Sequence, residues 1–276
     1  MNKSVFERLL HRAPTSHKYD FGHVLVVGGS PGMVGAAFLS ARAALRVGAG
    51  LVSIASSPAV IDKLEKRVEE IMTLRLSASA QALLPFIKDR KVSVVVIGPG
   101  LKPDLAVTAL KQLKGINLPI VIDGGALTAV QQTPELIPKG SILTPHLGEF
   151  QRFFEAELPK DPASLRQTAM RFAHQNDIIL LLKGHQTGIF SRKGRYETLS
   201  GGPELATAGT GDVLSGMIAG IIAQKISSED AAEAAVQLHG LAGEMAAQAK
   251  TEPGVIASDV IEAIPAALKL VLDREL

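Results

Sequence analysis

The chain has 276 residues, of which 46% are hydrophobic and 20% charged, so it is long enough to bury a large core. It carries 29 Lys and Arg residues against 27 Asp and Glu residues, and no basic block runs along it that would track a nucleic-acid backbone. We therefore expect no nucleic-acid partner. The sequence has no cysteine, which excludes disulfides and thiolate metal sites.

The sequence shows neither a signal peptide nor a membrane span. Its N-terminus carries Lys3, Glu7 and Arg8 where a signal peptide needs a continuous apolar stretch. The most apolar segments, Ile178–Leu182 and Val213–Ala223, are too short or too rich in Gly and Ser to cross a bilayer. We therefore expect a cytoplasmic protein without a membrane partner.

Apolar runs that alternate with helical stretches indicate the fold class. Predicted strands lie at Val24–Val27, Leu51–Ile54, Val92–Ile97, Ile120–Ile122, Ser141–Leu143 and Ile178–Leu182. Predicted helices lie at Gly35–Arg46, Ser57–Glu70, Asp104–Lys114, Pro162–His174, Asp212–Gln224, Ser228–Lys250 and Ser258–Leu272. Strands that are apolar almost throughout are typical of a parallel sheet covered by helices on both faces. We expect one α/β domain over residues 1–276.

Glycine and proline motifs follow most of the predicted strands. They are Gly28–Ser30, Gly98–Gly100, Asp123–Gly125, Thr144–His146 and Lys183–Gly184. The carboxyl ends of parallel strands meet at one edge of a sheet, where open α/β proteins bind their ligands. We predict that these loops form one ligand site.

The loop Gly28–Gly35 follows a strand and opens a helix, as a dinucleotide-binding loop does. Its glycines lack the G-x-G-x-x-G spacing, and the next strand runs out at Ser53–Ser57 without an acidic residue for a ribose. No Gly-Lys-Ser/Thr follows, which disfavours a Walker-type phosphate loop. As a tight turn, the segment still brings backbone amides near a ligand.

The segment Gly209–Asp212 is the strongest candidate for an anion-binding loop. Its glycines let successive amides converge on an anion, and the dipole of the following apolar helix favours negative charge there. Asp212 has two interpretations at this stage: it caps the helix, as Asp often does, or it acts on a bound phosphate-bearing ligand. Spacing alone leaves both open.

Other titratable side chains are further candidates. Lys183 enters a tight turn at the ligand edge, although a lysine at a strand end is usually a solvated charge. His146 is a candidate acid, base or ligand contact, with an ordinary surface histidine as the alternative. Glu149, predicted to start a helix, either helps to hold Mg²⁺ through water or simply complements the helix dipole. His239 is predicted to be structural, and the sequence has no zinc-like cluster or Gly-x-Ser-x-Gly elbow.

In their order and spacing, these motifs resemble the ADP- or ATP-dependent NAD(P)H-hydrate dehydratase family of the ribokinase-like superfamily. The match runs from about His17 to Pro265. The segments that carry it are Gly22–Ser30, Ala44–Val52, Ile97–Leu101, Thr144–Glu149, Leu182–Thr187, Ala206–Leu214, Leu238–Gly243 and Ala257–Asp259. The resemblance implies a ribokinase-like three-layer α/β/α fold with a mostly parallel central sheet.

The resemblance also implies an activity, the repair of hydrated nicotinamide cofactors. The S-form of hydrated NADH or NADPH would be dehydrated at the expense of ADP or ATP, with Mg²⁺ as cofactor. Asp212 would be the catalytic base that takes the proton of the ring hydroxyl as its oxygen attacks the terminal phosphoryl group. Phosphate, a far better leaving group than hydroxide, would then depart.

Roles of individual residues follow from the same resemblance. Ala37, Gly100, His146 and Asp212 would face the hydrated cofactor. The residues that would hold the adenosine nucleotide are Lys183, Gly184, His185, Gln186, Thr187 and Gly211. The amides of Gly209, Thr210 and Gly211 would form an anion hole for the transferring phosphate.

The chain departs from the family pattern at two positions. Gly125 stands where many members have the second Asp of an Asp-Ala-Asp-Ala-Leu segment, and Gly202 stands where a Gly-Asn-Pro segment has Asn. The resemblance further implies a homo-oligomer, predicted as a tetramer. Family members are often fused to an epimerase domain, and we expect a separate NAD(P)H-hydrate epimerase to act with this chain.

Two other functions are compatible with the same loops. A ribokinase-like kinase of a small vitamin-precursor alcohol would also use Asp212, and a non-enzymatic nucleotide sensor would need only the binding loops. The segments Thr144–Glu149 and Lys183–Thr187 resemble the dehydratases more closely. The sequence does not choose between ADP and ATP, or between NADH and NADPH hydrates.

Overall fold

The computed structural model describes residues 3–198 and 201–273; the remaining residues of the predicted domain, 1–2, 199–200 and 274–276, lie outside the described part. The strands are β1 (His23–Val27), β2 (Leu51–Ser56), β3 (Met72–Arg75), β4 (Val94–Ile97), β5 (Ile120–Ile122), β6 (Ile142–Leu143), β7 (Ile179–Leu182), β8 (Thr187–Ser191) and β9 (Gly194–Thr198). The helices are α1 (Lys3–Leu10), α2 (Val34–Arg46), α3 (Pro58–Leu64), α4 (Leu83–Asp89), α5 (Pro103–Leu113), α6 (Gly124–Gln132), α7 (Leu147–Gln151), α8 (Pro162–Asn176), α9 (Thr210–Ala223), α10 (Ser228–Ala249) and α11 (Ala257–Asp273).

The nine strands form one sheet in the order β3-β2-β1-β4-β5-β6-β7-β8-β9. Strands β1 to β7 pair in parallel, whereas β8 and β9 add antiparallel strands at one edge. The predicted mostly parallel α/β sheet is therefore confirmed.

Helices cover both faces of the sheet, because successive side chains of a strand point to opposite faces. Val24 and Val26 of β1 pack into one apolar cluster with α2, α9, α10 and α11. Leu25 and Val27 pack into a second cluster with α4, α5, α6 and α8. The result is the predicted three-layer arrangement. No helix within residues 3–198 and 201–273 is long and apolar enough to cross a membrane.

Several predicted elements needed correction. The helix predicted at Ser57–Glu70 ends at Leu64, and the strand β3 follows it. This edge strand is only half-buried, so it lacks the continuous apolar run that marks the central strands. The hairpin of β8 and β9 escaped prediction because it mixes polar and apolar residues at the sheet edge. The helices α1, α4 and α6 were also missed.

Glycine allows α9 to lie directly on α2. A β-carbon added at Gly216 would lie 2.0 Å from the Ser40 carbonyl oxygen, and one added at Gly220 would lie 2.6 Å from the Ala44 carbonyl oxygen. Backbone against backbone is the closest approach that two helices can make. The small residues on α2 thus let the apolar α9 pack against it. The N-terminus of α9 points to the carboxyl ends of the parallel strands, where the ligand site is predicted.

We expect Gly216→Ala to lower the free energy of unfolding by about 2 kcal/mol or more, because the new methyl group overpacks against the α2 backbone. Gly35→Ala is the matched control: Gly35 is likewise a helical glycine, in α2, but nothing lies within 4 Å of an added β-carbon. That change should be neutral or stabilise by up to about 1 kcal/mol. Urea unfolding measures both, and equal effects would contradict the packing constraint.

Candidate active site

The loops at the carboxyl ends of β1, β4 and β5 lie against one another. The Gly29 amide donates to the Pro99 carbonyl oxygen at 2.8 Å, which ties the loop after β1 to the loop after β4. The Asp123 amide, after β5, donates to the Ile97 carbonyl oxygen at 3.0 Å. The predicted gathering of motifs at this edge is thus what the structure shows.

Two residues predicted to face the hydrated cofactor, Ala37 and Gly100, belong to this group of loops. Gly100 has φ +62°, and an added β-carbon would lie 2.5 Å from the Met33 carbonyl oxygen, so only glycine fits there. Ala37 is fully buried next to Gly28 and Gly29. It therefore supports the loop from behind and contributes no exposed surface to it.

The anion loop begins at Gly209, whose φ of +96° turns the chain into α9. The amides of Thr210, Gly211 and Asp212 are the first of the helix and have no intrahelical acceptor. The Thr210 side chain turns away from the loop, because its hydroxyl donates to the Leu205 carbonyl oxygen at 2.8 Å. Thr210 thus offers a ligand its backbone amide only.

Asp212 is the third residue of α9, since the helix starts at Thr210 and not at the predicted Asp212. The N-cap is Gly209, so the alternative that Asp212 caps the helix in the N-cap position is wrong. Burial raises the pKa of Asp212 to about 7, the nearby charge of Asp123 raises it too, and Lys183 acts in the opposite direction. A carboxylate with this pKa takes up a proton at neutral pH.

Lys183 brings a positive charge to the same place. Its Nζ lies 3.2 Å from Asp123 Oδ1, and 3.2 Å from the position of a β-carbon added at Gly211. Burial opposes the charge, but Asp123, Glu149 and Asp212 raise the pKa of Lys183, so it stays an ammonium. The predicted nucleotide-binding lysine therefore lies beside the anion loop.

Asp123 is the site residue that sequence reasoning missed. The residue is 3% exposed, and its carboxylate pairs with Lys183 across the carboxyl ends of β5 and β7. The available signal was its position directly after a buried strand and before two glycines. The two glycines after Asp123 predict a turn, and a turn gives its side chain no specific role.

His146 and Glu149 cap each other at the start of α7. The His146 amide donates to Glu149 Oε2 at 2.9 Å, and the Glu149 amide donates to His146 Nδ1 at 3.2 Å. The helix begins at Leu147, so the prediction that it starts at Glu149 is wrong by two residues. The His146 side chain is 57% exposed, and its backbone bridges to Lys183 beside the site.

The other predicted nucleotide contacts form the turn between β7 and β8. Gly184, His185 and Gln186 are exposed, and the Thr187 hydroxyl donates to the Gly184 carbonyl oxygen at 3.3 Å. These residues adjoin Lys183 along the chain and lie outside the cluster of charged side chains that Asp123, Lys183 and Asp212 form. They are free to contact a ligand that lies over the cluster.

The charges of the site bear on the predicted Mg²⁺. Three carboxylates, those of Asp123, Glu149 and Asp212, act on the single Lys183 ammonium. Within residues 3–198 and 201–273, no group of three or more His, Asp or Glu side chains is arranged to hold a metal ion. A polyphosphate entering this acidic site needs added positive charge. The donor set thus fits a Mg²⁺ that is held mainly by phosphate oxygens and waters, which is its usual preference.

His239 is buried in α10 behind the anion loop, in keeping with its predicted structural role. The pKa of His239 is lowered to about 4, mainly by burial and also by the charge of Lys183, while a hydrogen bond with the Thr210 backbone acts the other way. The ring is therefore neutral at physiological pH.

The two departures from the family pattern have different surroundings. A β-carbon at Gly125 would lie 1.9 Å from the Leu101 carbonyl oxygen, so the second acid found in many members cannot be added here without a backbone shift. At Gly202, the amide donates to the buried Glu204 carboxylate at 2.7 Å. The segment Gly201–Pro203 therefore rests on an acid from its own turn.

Comparison with known proteins identifies the family. The model of the family described as NAD(P)H-hydrate dehydratase matches residues 24–266. The chain is 37% identical to a bifunctional NAD(P)H-hydrate repair enzyme of Moorella thermoacetica, covering 95% of this chain and 52% of that protein. It thus spans about half the length of the first curated relatives it matches.

Two relatives of similar length also match. The ADP-dependent (S)-NAD(P)H-hydrate dehydratase of Lactiplantibacillus plantarum is 33% identical, over 88% of this chain and 87% of that protein. The Bacillus subtilis ADP/ATP-dependent NAD(P)H-hydrate dehydratase, co-crystallised with ATP/Mg²⁺, superposes with a TM-score of 0.83 at 29% identity, covering 98% and 97% of the two chains. Solved neighbours are ribokinase-like structures, which confirms the predicted fold. The chain belongs to the NAD(P)H-hydrate dehydratase family.

Proposed function

We propose that this protein dehydrates the S-form of hydrated NADH or NADPH, using ADP or ATP, and returns the reduced cofactor with AMP or ADP and phosphate. The observation that carries the proposal is Asp212, whose carboxyl has a pKa of about 7 and lies in the first turn of α9, among amides that have no intrahelical acceptor. Family membership supplies the identity of the substrate. The single sheet supports the proposal that residues 1–276 work as one domain.

In the proposed reaction, the ring hydroxyl of the hydrated cofactor attacks the terminal phosphoryl group of the nucleotide. Asp212 takes the hydroxyl proton, which its pKa allows near neutral pH. The amides of Gly209, Thr210 and Gly211 and the Lys183 ammonium stabilise the phosphoryl oxygens. The bond from that phosphorus to AMP or ADP breaks as the new bond to the ring oxygen forms. Phosphate then leaves the ring carbon with the electrons of the C–O bond, assisted by the ring nitrogen lone pair, and the neighbouring carbon loses a proton to solvent, which restores the dihydropyridine.

The two sides of the site divide the substrates in this proposal. Lys183, the turn Gly184–Thr187 and Gly211 hold the nucleotide, and the loops around Gly100, with His146 at the rim, hold the hydrated cofactor. Mg²⁺ neutralises phosphate charge when bound, and Glu149 contacts it through water. Its requirement is supported by the acidic surroundings of Lys183 and by the bound ATP/Mg²⁺ of the Bacillus subtilis relative.

Assembly and location remain predictions. We propose a cytoplasmic homo-oligomer, predicted as a tetramer, which a solution mass measurement tests. The bifunctional name of the Moorella thermoacetica relative supports a functional link to a second repair activity, which we predict to be NAD(P)H-hydrate epimerisation.

The raised pKa of Asp212 has a consequence for stability. An Asp in the unfolded chain has a pKa of about 4, and Asp212 in the folded protein has a pKa of about 7. The folded state therefore binds the Asp212 proton more tightly than the unfolded state does. The stability that this tighter binding adds is fully present below about pH 4 and is lost as the pH rises through about 7. Asn does not titrate, so Asp212→Asn does not lose stability in this way as the pH rises.

The free energy of unfolding of Asp212→Asn, relative to wild type, should rise between pH 4 and 7 by more than about 1 kcal/mol and then level off. Urea unfolding at several pH values measures it. Asp104→Asn, at an exposed first-turn acid of α5, is the control and should not show this rise. If the difference for Asp212→Asn does not rise either, its carboxyl is not perturbed.

Asp212→Asn should also lower kcat by about 100-fold or more, because the reaction loses its base. The assay follows the return of reduced-nicotinamide absorbance from hydrated NADH with ADP or ATP and Mg²⁺. Nucleotide binding, measured by calorimetry, should survive because the anion-loop amides remain. Asp104→Asn should match wild type in both measurements.

The same assay separates the alternatives. If hydrated NADH is not restored with either nucleotide while a thiazole or pyrimidine alcohol is phosphorylated, the protein is a ribokinase-like kinase. If wild type and Asp212→Asn bind nucleotide alike and neither turns over a substrate, the nucleotide-sensor alternative holds.

A further inference from the structure

The buried carboxylate of Asp123 has no part in the proposed reaction. It nevertheless forms the ion pair that fixes Lys183, with 3.2 Å between Oδ1 and Nζ. We propose that Asp123 is a positioning residue, which holds the Lys183 ammonium beside the anion loop and keeps it from pairing with Asp212. The inference rests on the proposed function, because it gives Asp212 the role of a base.

The position of Asp123 in its helix supports this role. Asp123 is the N-cap residue of α6, where an Asp side chain ordinarily accepts a hydrogen bond from an amide of the first turn. Its side chain makes no such bond. The carboxylate is turned to Lys183, although the residue is only 3% exposed. A buried charge is costly unless it is paired, so this pair holds both groups in place.

The surrounding residues leave Asp123 as the acid that pairs directly with Lys183. Glu149 and Asp212 act on Lys183 through their charge, and neither forms an ion pair with it in the described part of the chain. Gly125 has no room for a second carboxylate because the Leu101 carbonyl oxygen lies where its β-carbon would go. Loss of the Asp123 charge would therefore free the ammonium to move to Glu149 or Asp212.

Two effects on Asp212 then act in the same direction. The charges that face it are those of Asp123, from the loop after β5, and Lys183, from the turn after β7. Glu149 on α7 acts on Lys183, and His239 on α10 is neutral behind the loop. Removal of the Asp123 charge takes away a repulsion on the Asp212 carboxylate and frees the Lys183 ammonium to pair with it. Both changes lower the pKa of Asp212 and so make it a weaker base.

The test compares Asp123→Asn with Asp161→Asn. Asp161 is the N-cap of α8 and does accept from the Ser164 amide, so Asn is an equivalent cap there and wild-type behaviour is expected. In Asp123→Asn, the acid limb of the kcat/KM profile should move from about pH 7 to lower pH by about one unit or more. At pH 8, kcat should fall by about three- to tenfold, since a weaker base transfers the proton more slowly.

A second measurement needs no substrate. The pKa of the Asp212 carboxyl is read from its ¹³C chemical shift, assigned by the signal that Asp212→Asn removes. It should fall in Asp123→Asn and rise in Lys183→Met, where the repulsion by Asp123 is no longer opposed. If Asp123→Asn does not fold, an unchanged Asp212 pKa in Lys183→Met overturns the inference by itself, because Lys183 then does not act on Asp212. An unchanged pKa of Asp212 in Asp123→Asn overturns it directly. If the shifts occur in a protein that does not restore hydrated NADH, the positioning of Lys183 by Asp123 stands and the proposed function fails.

Discussion

The candidate site depends on one packing constraint, the direct contact of α9 with α2. Glycines at 216 and 220 let the backbones meet, with the Ser40 and Ala44 carbonyl groups where side chains would otherwise lie. The apolar α9 is thereby fixed beside α2 on the same face of the sheet, where it contacts β1, β4 and β5, and its first turn faces the carboxyl ends of the strands. A helix N-terminus binds an anion only where it points, so this contact places the free amides of Thr210, Gly211 and Asp212.

Electrostatics at the end of α9 then separate two chemical roles. Burial leaves Asp212 with a pKa of about 7, so it can accept a proton, whereas the carboxylates around Lys183 keep that residue charged. A base and a cation thus lie close together without neutralising each other, because a third group, Asp123, pairs with the cation. In our proposal, the negative charge around Lys183 disfavours a polyphosphate on its own and favours one that brings Mg²⁺.

The geometry of the anion loop suits both a dehydratase and a kinase. Both need a base beside the phosphate and amides around it. What differs between them is the alcohol that faces Asp212, and in our proposal that surface comes from loops after β1, β4 and β6. The glycines there pack backbone on backbone, as at Gly100 against Met33, so the loops act as a rigid wall and not as independent turns.

Much of the fold and part of the site followed from local sequence. The central strands were predictable because burial on both faces requires continuous apolar runs, and Gly209–Asp212 was predictable because glycines before an apolar helix make an anion loop. The edge strand β3 was not, since exposure removes the apolar signal, and the hairpin of β8 and β9 was not, since polar and apolar residues mix in it. Helix α6 was hidden by two glycines that suggested a turn.

The sequence by itself determined the parallel sheet, the edge at which its glycine loops meet and the glycines of the predicted anion loop. Only the tertiary structure decided what each charged side chain does. Asp212 lies beyond the cap, its pKa is raised by burial, and Asp123 pairs with a lysine 60 residues away. Burial and charge act through space, and neighbours in space are not neighbours in sequence, so no local pattern encodes them.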